Sequence, residues 1–196
     1  MGRKIDTICV HHSASSRDTT VGQIKRWHTV GNGWNHCGYH RIITENGAVA
    51  HTLSPNKEGY GVYGKNATSL HVCVTGNFEK EFPSPSQVKS LKEELLKLCK
   101  KFSLFSWNIY GHKEIALPNH GTLCPGKNLM DILSEIRFEL MKELREEPKI
   151  ERVGSTEPHA IEPKEIEREF TWWEKVKFWL EKQWIKLKQK FEKKGW

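Results

Sequence analysis

The chain has 196 residues, 37% hydrophobic and 28% charged, enough for one domain with a real core plus an appendage, but short for two full domains. A formal net charge of +7 favours polyanionic partners such as nucleic acid, anionic lipid or a carboxylate- and phosphate-rich cell wall, without choosing among them. No run of about 18 apolar residues occurs, which excludes a membrane-spanning helix.

Ile5 to Val10 reads as a short β-strand running into His11-His12-Ser13-Ala14-Ser15. The start, Met1-Gly2-Arg3-Lys4, lacks the apolar stretch and small-residue cleavage site of a secretory signal, so synthesis in the cytoplasm is expected. Thr20-Val21-Gly22-Gln23 has the spacing of a capping box and opens a short helix carrying Ile24, Trp27 and His28, ended by Gly31-Asn32-Gly33. Gly38 to Ile43 predicts a second strand, turned at Glu45-Asn46-Gly47 into a third over Ala48 to Leu53. Ser69 to Gly76 predicts another.

Ser84-Pro85-Ser86-Gln87 supplies a cap, a proline at the first helical position and a glutamine three residues on. The helix behind it repeats Val88, Leu91, Leu95, Leu98 and Phe102 along one face. Trp107 to Gly111 predicts a strand ending at His112. A last helix after Asn128 carries Leu129, Ile132, Leu133, Ile136, Leu140 and Leu144. This alternation predicts a mixed α/β domain over residues 1–145. Residues 146–169 are rich in glutamate and proline and read as a linker.

The five cysteines, Cys9, Cys37, Cys73, Cys99 and Cys124, are odd in number and scattered, which fits a reducing compartment better than a disulfide frame. Three groups carry candidate chemistry: His11 after the first strand, His112, and Cys124 in Leu123-Cys124-Pro125-Gly126. Two imidazoles and a thiolate would hold one tetrahedral zinc with a position open for water. Such a metal acidifies its water and polarises an amide carbonyl. With ten histidines in the chain, however, some triplet of ligand chemistry arises by chance, and the spacing alone does not decide.

The surrounding words are more specific. Val10-His11-His12-Ser13-Ala14-Ser15, Ile24-Lys25-Arg26-Trp27-His28, Gly38-Tyr39-His40-Arg41-Ile42-Ile43, Gly111-His112-Lys113-Glu114-Ile115 and Cys124-Pro125-Gly126 follow in one order. Over about residues 5 to 140 this resembles the zinc amidases of the phage lysozyme and peptidoglycan recognition protein type. The resemblance implies a central mixed β-sheet flanked by helices, with zinc in a surface groove. It assigns the ligands to His11 (rather than His12), His112 and Cys124, a catalytic role to Tyr39, and an oxyanion contact to Thr122. The plainer reading of Thr122 is a loop threonine capping its own backbone. His40, if in a strand, would point to the opposite sheet face from Tyr39 and is expected to be structural.

Two departures from the family pattern stand out. A histidine is common shortly before the G-x-N word, yet the matching position before Gly64-Lys65-Asn66 is Gly61. The loop from His112 to Cys124 is also longer than usual and contains His120, a candidate substrate contact or competing ligand.

The implied function is hydrolysis of the amide between N-acetylmuramic acid and L-alanine of bacterial peptidoglycan, as an endolysin acting on the wall after release from the cytoplasm. A wall-recycling amidase and a non-catalytic peptidoglycan-binding module are the alternatives. Cys124 favours the enzymes, because that position is commonly serine in non-catalytic members. A specific nucleic-acid partner is not expected, since charge without a motif is usually a solvated face.

Residues 170–196 change character again. Trp173, Val176, Leu180, Trp184, Leu187 and Phe191 fall on one helical stripe, widened by Trp172 and Trp179, with Lys175, Lys182 and Lys186 largely off its centre. This predicts a basic amphipathic C-terminal helix that binds anionic envelope lipids or lipopolysaccharide. Packing back on the enzyme or pairing with a second copy is the alternative.

Overall fold

The computed structural model describes residues 2–145. The expected linker at 146–169 and amphipathic helix at 170–196 lie outside the described residues.

Strand β1 (Thr7–His12) alternates its side chains between two faces, as the period of two demands. It sits inside a five-stranded mixed sheet of order β3-β2-β4-β1-β5, with β2 (Arg41–Ile43), β3 (Val49–His51), β4 (Ser69–Val74) and β5 (Ile109–Gly111). β1 runs parallel to β4 and β5, and β2 runs parallel to β4; only the hairpin strand β3 is antiparallel. All six residues of β4 are buried, as expected of a central parallel strand covered on both sides.

The pairing register sorts the two faces. Cys9 lies opposite His71, and His11 opposite Cys73, so these four side chains share one face. Ile42, paired with Cys73, extends that face into a small core with Ile24 and Cys37. Helix α1 (Val21–Arg26) supplies Ile24 and opens with the predicted capping box: the Thr20 hydroxyl accepts the Gln23 N–H at 3.2 Å, and the Gln23 side chain accepts the Thr20 N–H at 2.8 Å. The helix continues as one wide turn through Trp27–Gly31.

The opposite face, with Ile8, Val10 and Val72, is covered by helices. Helix α2 (Pro85–Phe102) begins at Ser84, whose capping box is complete, and buries Val88, Leu91, Leu95 and Leu98. Each such side chain contributes about 1.5–3 kcal/mol through burial. Arg41 from β2 meets Glu94 of α2 at 2.7 Å, with both side chains under 8% exposed at 6% and 7%. Helix α4 (Lys127–Arg145) buries Leu129, Ile132, Leu133, Ile136 and Leu140. It lies against α2, where Lys92 bridges Glu139 and Glu143 at 2.9 and 2.5 Å. None of the described helices is long and apolar enough to cross a membrane.

The observed element boundaries depart from expectation in ways that matter for the site. β1 extends two residues further, so His11 and His12 belong to the strand itself. The strand expected from Gly38 begins only at Arg41, which leaves Tyr39 and His40 in the preceding loop. The strand expected from Trp107 begins only at Ile109 and ends at Gly111, as expected, and His112 directly after it heads a short helix α3 (His112–Ile115). There the Glu114 side chain accepts the Gly111 N–H at 2.6 Å, a local turn that ends strand pairing.

Candidate metal centre

Being consecutive on β1, His11 and His12 face opposite ways. His12 Nδ1 accepts the Phe78 N–H at 3.2 Å, a structural contact that ties down the loop after β4. His11, 1% exposed, projects from the other face among Tyr39, His71 and His112, with ring centroids at 5.1, 5.2 and 4.8 Å. Its Nδ1 lies 3.6 Å from Cys124 Sγ, and its Nε2 lies 3.1 Å from His71 Nδ1. The ligand-capable atoms of His11, His112 and Cys124 all fall within 4.8 Å of one another. His112 and Cys124 are partly exposed, so the cluster has a buried side at His11 and an open side toward solvent.

Local backbone contacts hold this cluster. The Lys113 N–H donates to the Cys124 carbonyl at 2.8 Å, joining the start of α3 to the cysteine loop. Gly126 closes that loop at φ +92°, and a Cβ there would stand 2.4 Å from the Phe78 carbonyl carbon, so both backbone conformation and space demand glycine. Glu114 accepts from Gly111 and from both terminal nitrogens of Arg137. Burial pushes its carboxyl up, but the Arg137 and Gly111 hydrogen bonds outweigh this and hold it below the usual value. Glu114 is thus committed to anchoring α3 on α4 and does not serve as a base.

The electrostatics suit a cation. Burial, then the neighbouring imidazoles His71 and His112, hold His11 well below its ordinary pKa, so it presents a neutral ring. Burial pushes the Cys124 thiol up to about 12, only partly offset by its contact with the His12 carbonyl. A thiol in such a place ionises when a bound cation compensates the charge. Two neutral imidazoles and a sulfur at this spacing form a donor set that fits zinc.

Tyr39 stands beside this cluster, its ring also 5.0 Å from that of His28. Burial, followed by the nearby thiols, raises its phenol well above the ordinary value, so it stays protonated. His28 Nδ1 accepts the Gly38 N–H at 3.1 Å and so fixes the loop that carries Tyr39. Thr122 accepts the Cys124 N–H at 3.1 Å with its hydroxyl oxygen, the backbone cap of the plainer reading, while its own hydrogen stays available to a second acceptor.

His120 belongs to neither cluster of candidate ligands among the described residues; it is exposed and its ring stacks on Tyr63 at 4.7 Å. His40 is structural but not by pointing away across a sheet: it lies before β2, its Nδ1 accepts the His71 N–H at 3.0 Å, and its Nε2 lies 3.0 Å from the Lys57 carbonyl. Trp172, Trp173, Trp179, Trp184, Lys175, Lys182 and Lys186 lie outside the described residues.

Sequence reasoning missed His71 and Cys9, whose ligand atoms cluster with His11. The signal was present in the register of two apolar strands, where a histidine alternates with cysteine, but only β1–β4 pairing brings it into view.

The comparisons with known proteins agree with this geometry. A family model described as N-acetylmuramoyl-L-alanine amidase matches residues 1–127. An endolysin of Klebsiella phage KP32 is 30% identical over 141 residues, covering 58% of this chain and 91% of that protein. A peptidoglycan-recognition protein SD of Drosophila simulans is 26% identical over 66% of this chain, which spans 64% of that relative's length. Among solved structures, the Ph2119 endolysin of a Thermus scotoductus bacteriophage superposes with a TM-score of 0.61 at 28% identity, over 69% of this chain and 86% of that one. From the five ordered words, the clustered donors and these matches, the chain belongs to the N-acetylmuramoyl-L-alanine amidase family.

Proposed function

We propose that this chain cleaves the amide between N-acetylmuramic acid and the L-alanine of the peptidoglycan stem peptide, using one zinc held by His11, His112 and Cys124. The observation that carries this reading is the convergence of those three donors, from β1, the head of α3 and the loop before α4, within 4.8 Å. When bound, zinc supplies a Lewis acid for the amide carbonyl and brings the pKa of water toward neutrality.

The chain's own residues orient and neutralise. Tyr39, kept protonated, is a hydrogen-bond donor for the developing oxyanion and not a base. Thr122, its oxygen occupied by the Cys124 N–H, has its hydroxyl proton free for the same acceptor. His120 and Tyr63, stacked and exposed, offer a surface for the stem peptide or sugar. The partly exposed side of the cluster would open into the substrate groove.

Zinc content and release of stem peptide from purified peptidoglycan test this together. Stoichiometric zinc, with cleavage lost on chelation and restored by added zinc, is the expected result. Protein that binds peptidoglycan without cutting it, even with zinc supplied, would make the chain a recognition module.

Its likeness to endolysins supports storage in the cytoplasm and action on the wall after release. The basic, tryptophan-rich stripe of residues 170–196 supports contact with anionic envelope lipid or lipopolysaccharide. Removing those residues should abolish cosedimentation with phosphatidylglycerol vesicles while cleavage of purified peptidoglycan persists. Retained vesicle binding would overturn the lipid role, and loss of a dimer or of folded protein instead would assign the stripe to packing.

A further inference from the structure

His71 occupies an unusual place for a polar residue: the middle of the central strand β4, 0% exposed. Its Nδ1 lies 3.1 Å from His11 Nε2, and the two rings meet edge to face. The opposite ring atom, Nε2, is buried without a hydrogen-bond partner among the described residues. Above it lies Gly61, where a Cβ would come within 2.4 Å of His71 Nδ1. The imidazole therefore fills the room a side chain at position 61 would take, and position 61 is where the family pattern often carries a histidine. Here the ring arrives from the sheet instead.

Resting on the zinc-amidase reading, we propose that His71 is a positioning residue that fixes the tautomer of His11, accepting the His11 Nε2–H so that Nδ1 faces Cys124 and His112 as a bare lone pair.

The proton between the two rings has two possible homes. If His71 carried it on Nδ1, His11 Nε2 would accept, and the His11 proton would move to Nδ1, pointing at Cys124 Sγ 3.6 Å away. That state removes His11 as a ligand. With the proton on His11 Nε2, the donor set is complete, and His71 keeps its own proton on Nε2. A metal ligand commonly donates its second ring N–H in this way, and losing the partner weakens metal binding about 10- to 100-fold. A neutral imidazole does this without bringing a second charge into a dry site, as a carboxylate would. One contact holds the strand that carries the acceptor, the His71 N–H donating to His40 Nδ1 at 3.0 Å, and the missing side chain at Gly61 leaves the room that the ring occupies. Gly61 and His71 are thus one device, since any side chain at 61 would displace the acceptor.

The test measures zinc affinity by competition with a chromogenic chelator, and the His11 tautomer by nitrogen-15 NMR of histidine-labelled full-length protein. His71→Leu should lose about 10- to 100-fold in zinc affinity, and its metal-free form should show His11 as a tautomer mixture rather than Nε2–H. His71→Asn, whose Oδ1 falls near the Nδ1 position, should recover most of the affinity and the Nε2–H signal. Gly61→Ala should behave like His71→Leu although it removes no polar atom. Unchanged zinc affinity and unchanged tautomer in His71→Leu would overturn the proposal. So would two zinc ions per wild-type chain, because Cys9, His11 and His71 would then be a second metal site with His11 Nε2 as its ligand. Wild-type protein that binds no zinc would instead refute the zinc reading itself, while the tautomer measurement would still decide the role of His71.

Discussion

Cys124→Ser is expected to lower peptidoglycan amide hydrolysis on the order of 10³-fold, with the fold intact. The sulfur sits among His11 Nδ1, His112 and the His12 carbonyl, where burial keeps the thiol neutral until a cation arrives. A thiolate contributes a full charge and a soft donor to zinc; a serine hydroxyl at neutral pH contributes neither. Losing the metal removes several kcal/mol of transition-state stabilisation, and at about 1.4 kcal/mol per decade this gives the stated factor. Thermal unfolding should change little, since Cys124 is partly exposed and its loop is held by the Lys113–Cys124 and Gly126–Leu123 backbone hydrogen bonds. Stoichiometric zinc and near-normal turnover in Cys124→Ser would remove the cysteine from the ligand set.

The second large effect is on stability. Glu94→Ala should destabilise the domain by about 3–5 kcal/mol, because it strands a guanidinium that has lost most of its water. Arg41 and Glu94 are each 5% exposed, and their contact at 2.7 Å is reinforced by donation from Arg41 to the His40 carbonyl at 2.9 Å. At roughly 2–4 °C per kcal/mol for a chain of this size, the melting temperature should fall by about 6–20 °C. Replacing both residues with leucine should cost less than Glu94→Ala alone, as a buried pair is worth little against a well-packed apolar substitute. A change under about 1 kcal/mol in Glu94→Ala would mean that water reaches the pair. Because Arg41 follows Tyr39 and His40 directly, the same variant should also loosen the tyrosine loop.

Both predictions turn on residues whose roles were legible to different degrees. Cys124 and His112 stand in short local words, and local chemistry writes those words: the glycine that must take φ +92°, and the glutamate that bonds the backbone three residues earlier. The helices were legible for the same reason. Ser84 with Gln87 and Thr20 with Gln23 are reciprocal caps complete within four residues, and the apolar repeat of α2 needs only its own period. Glu94, by contrast, lies on that helix's buried face among leucines, and nothing near it in sequence announces Arg41, 53 residues away.

Sequence alone thus determined the mixed α/β class and the starts of α1 and α2, because caps and periods are short-range, while the preference for His11 over His12 and the three candidate donors came from the likeness of the ordered words to the amidase family. The tertiary structure decided what depends on strand pairing. It started β2 late, at Arg41, so that Tyr39 and His40 sit in a loop, placed a helix start at His112, and set Cys9 opposite His71 and His11 opposite Cys73. Register is a long-range choice, since a slip of one residue would have sent His71 to the α2 side and left His11 Nε2 without its partner. The physical reason is that a strand dictates only the alternation of its side chains, while the identity of the neighbour each one meets belongs to the sheet.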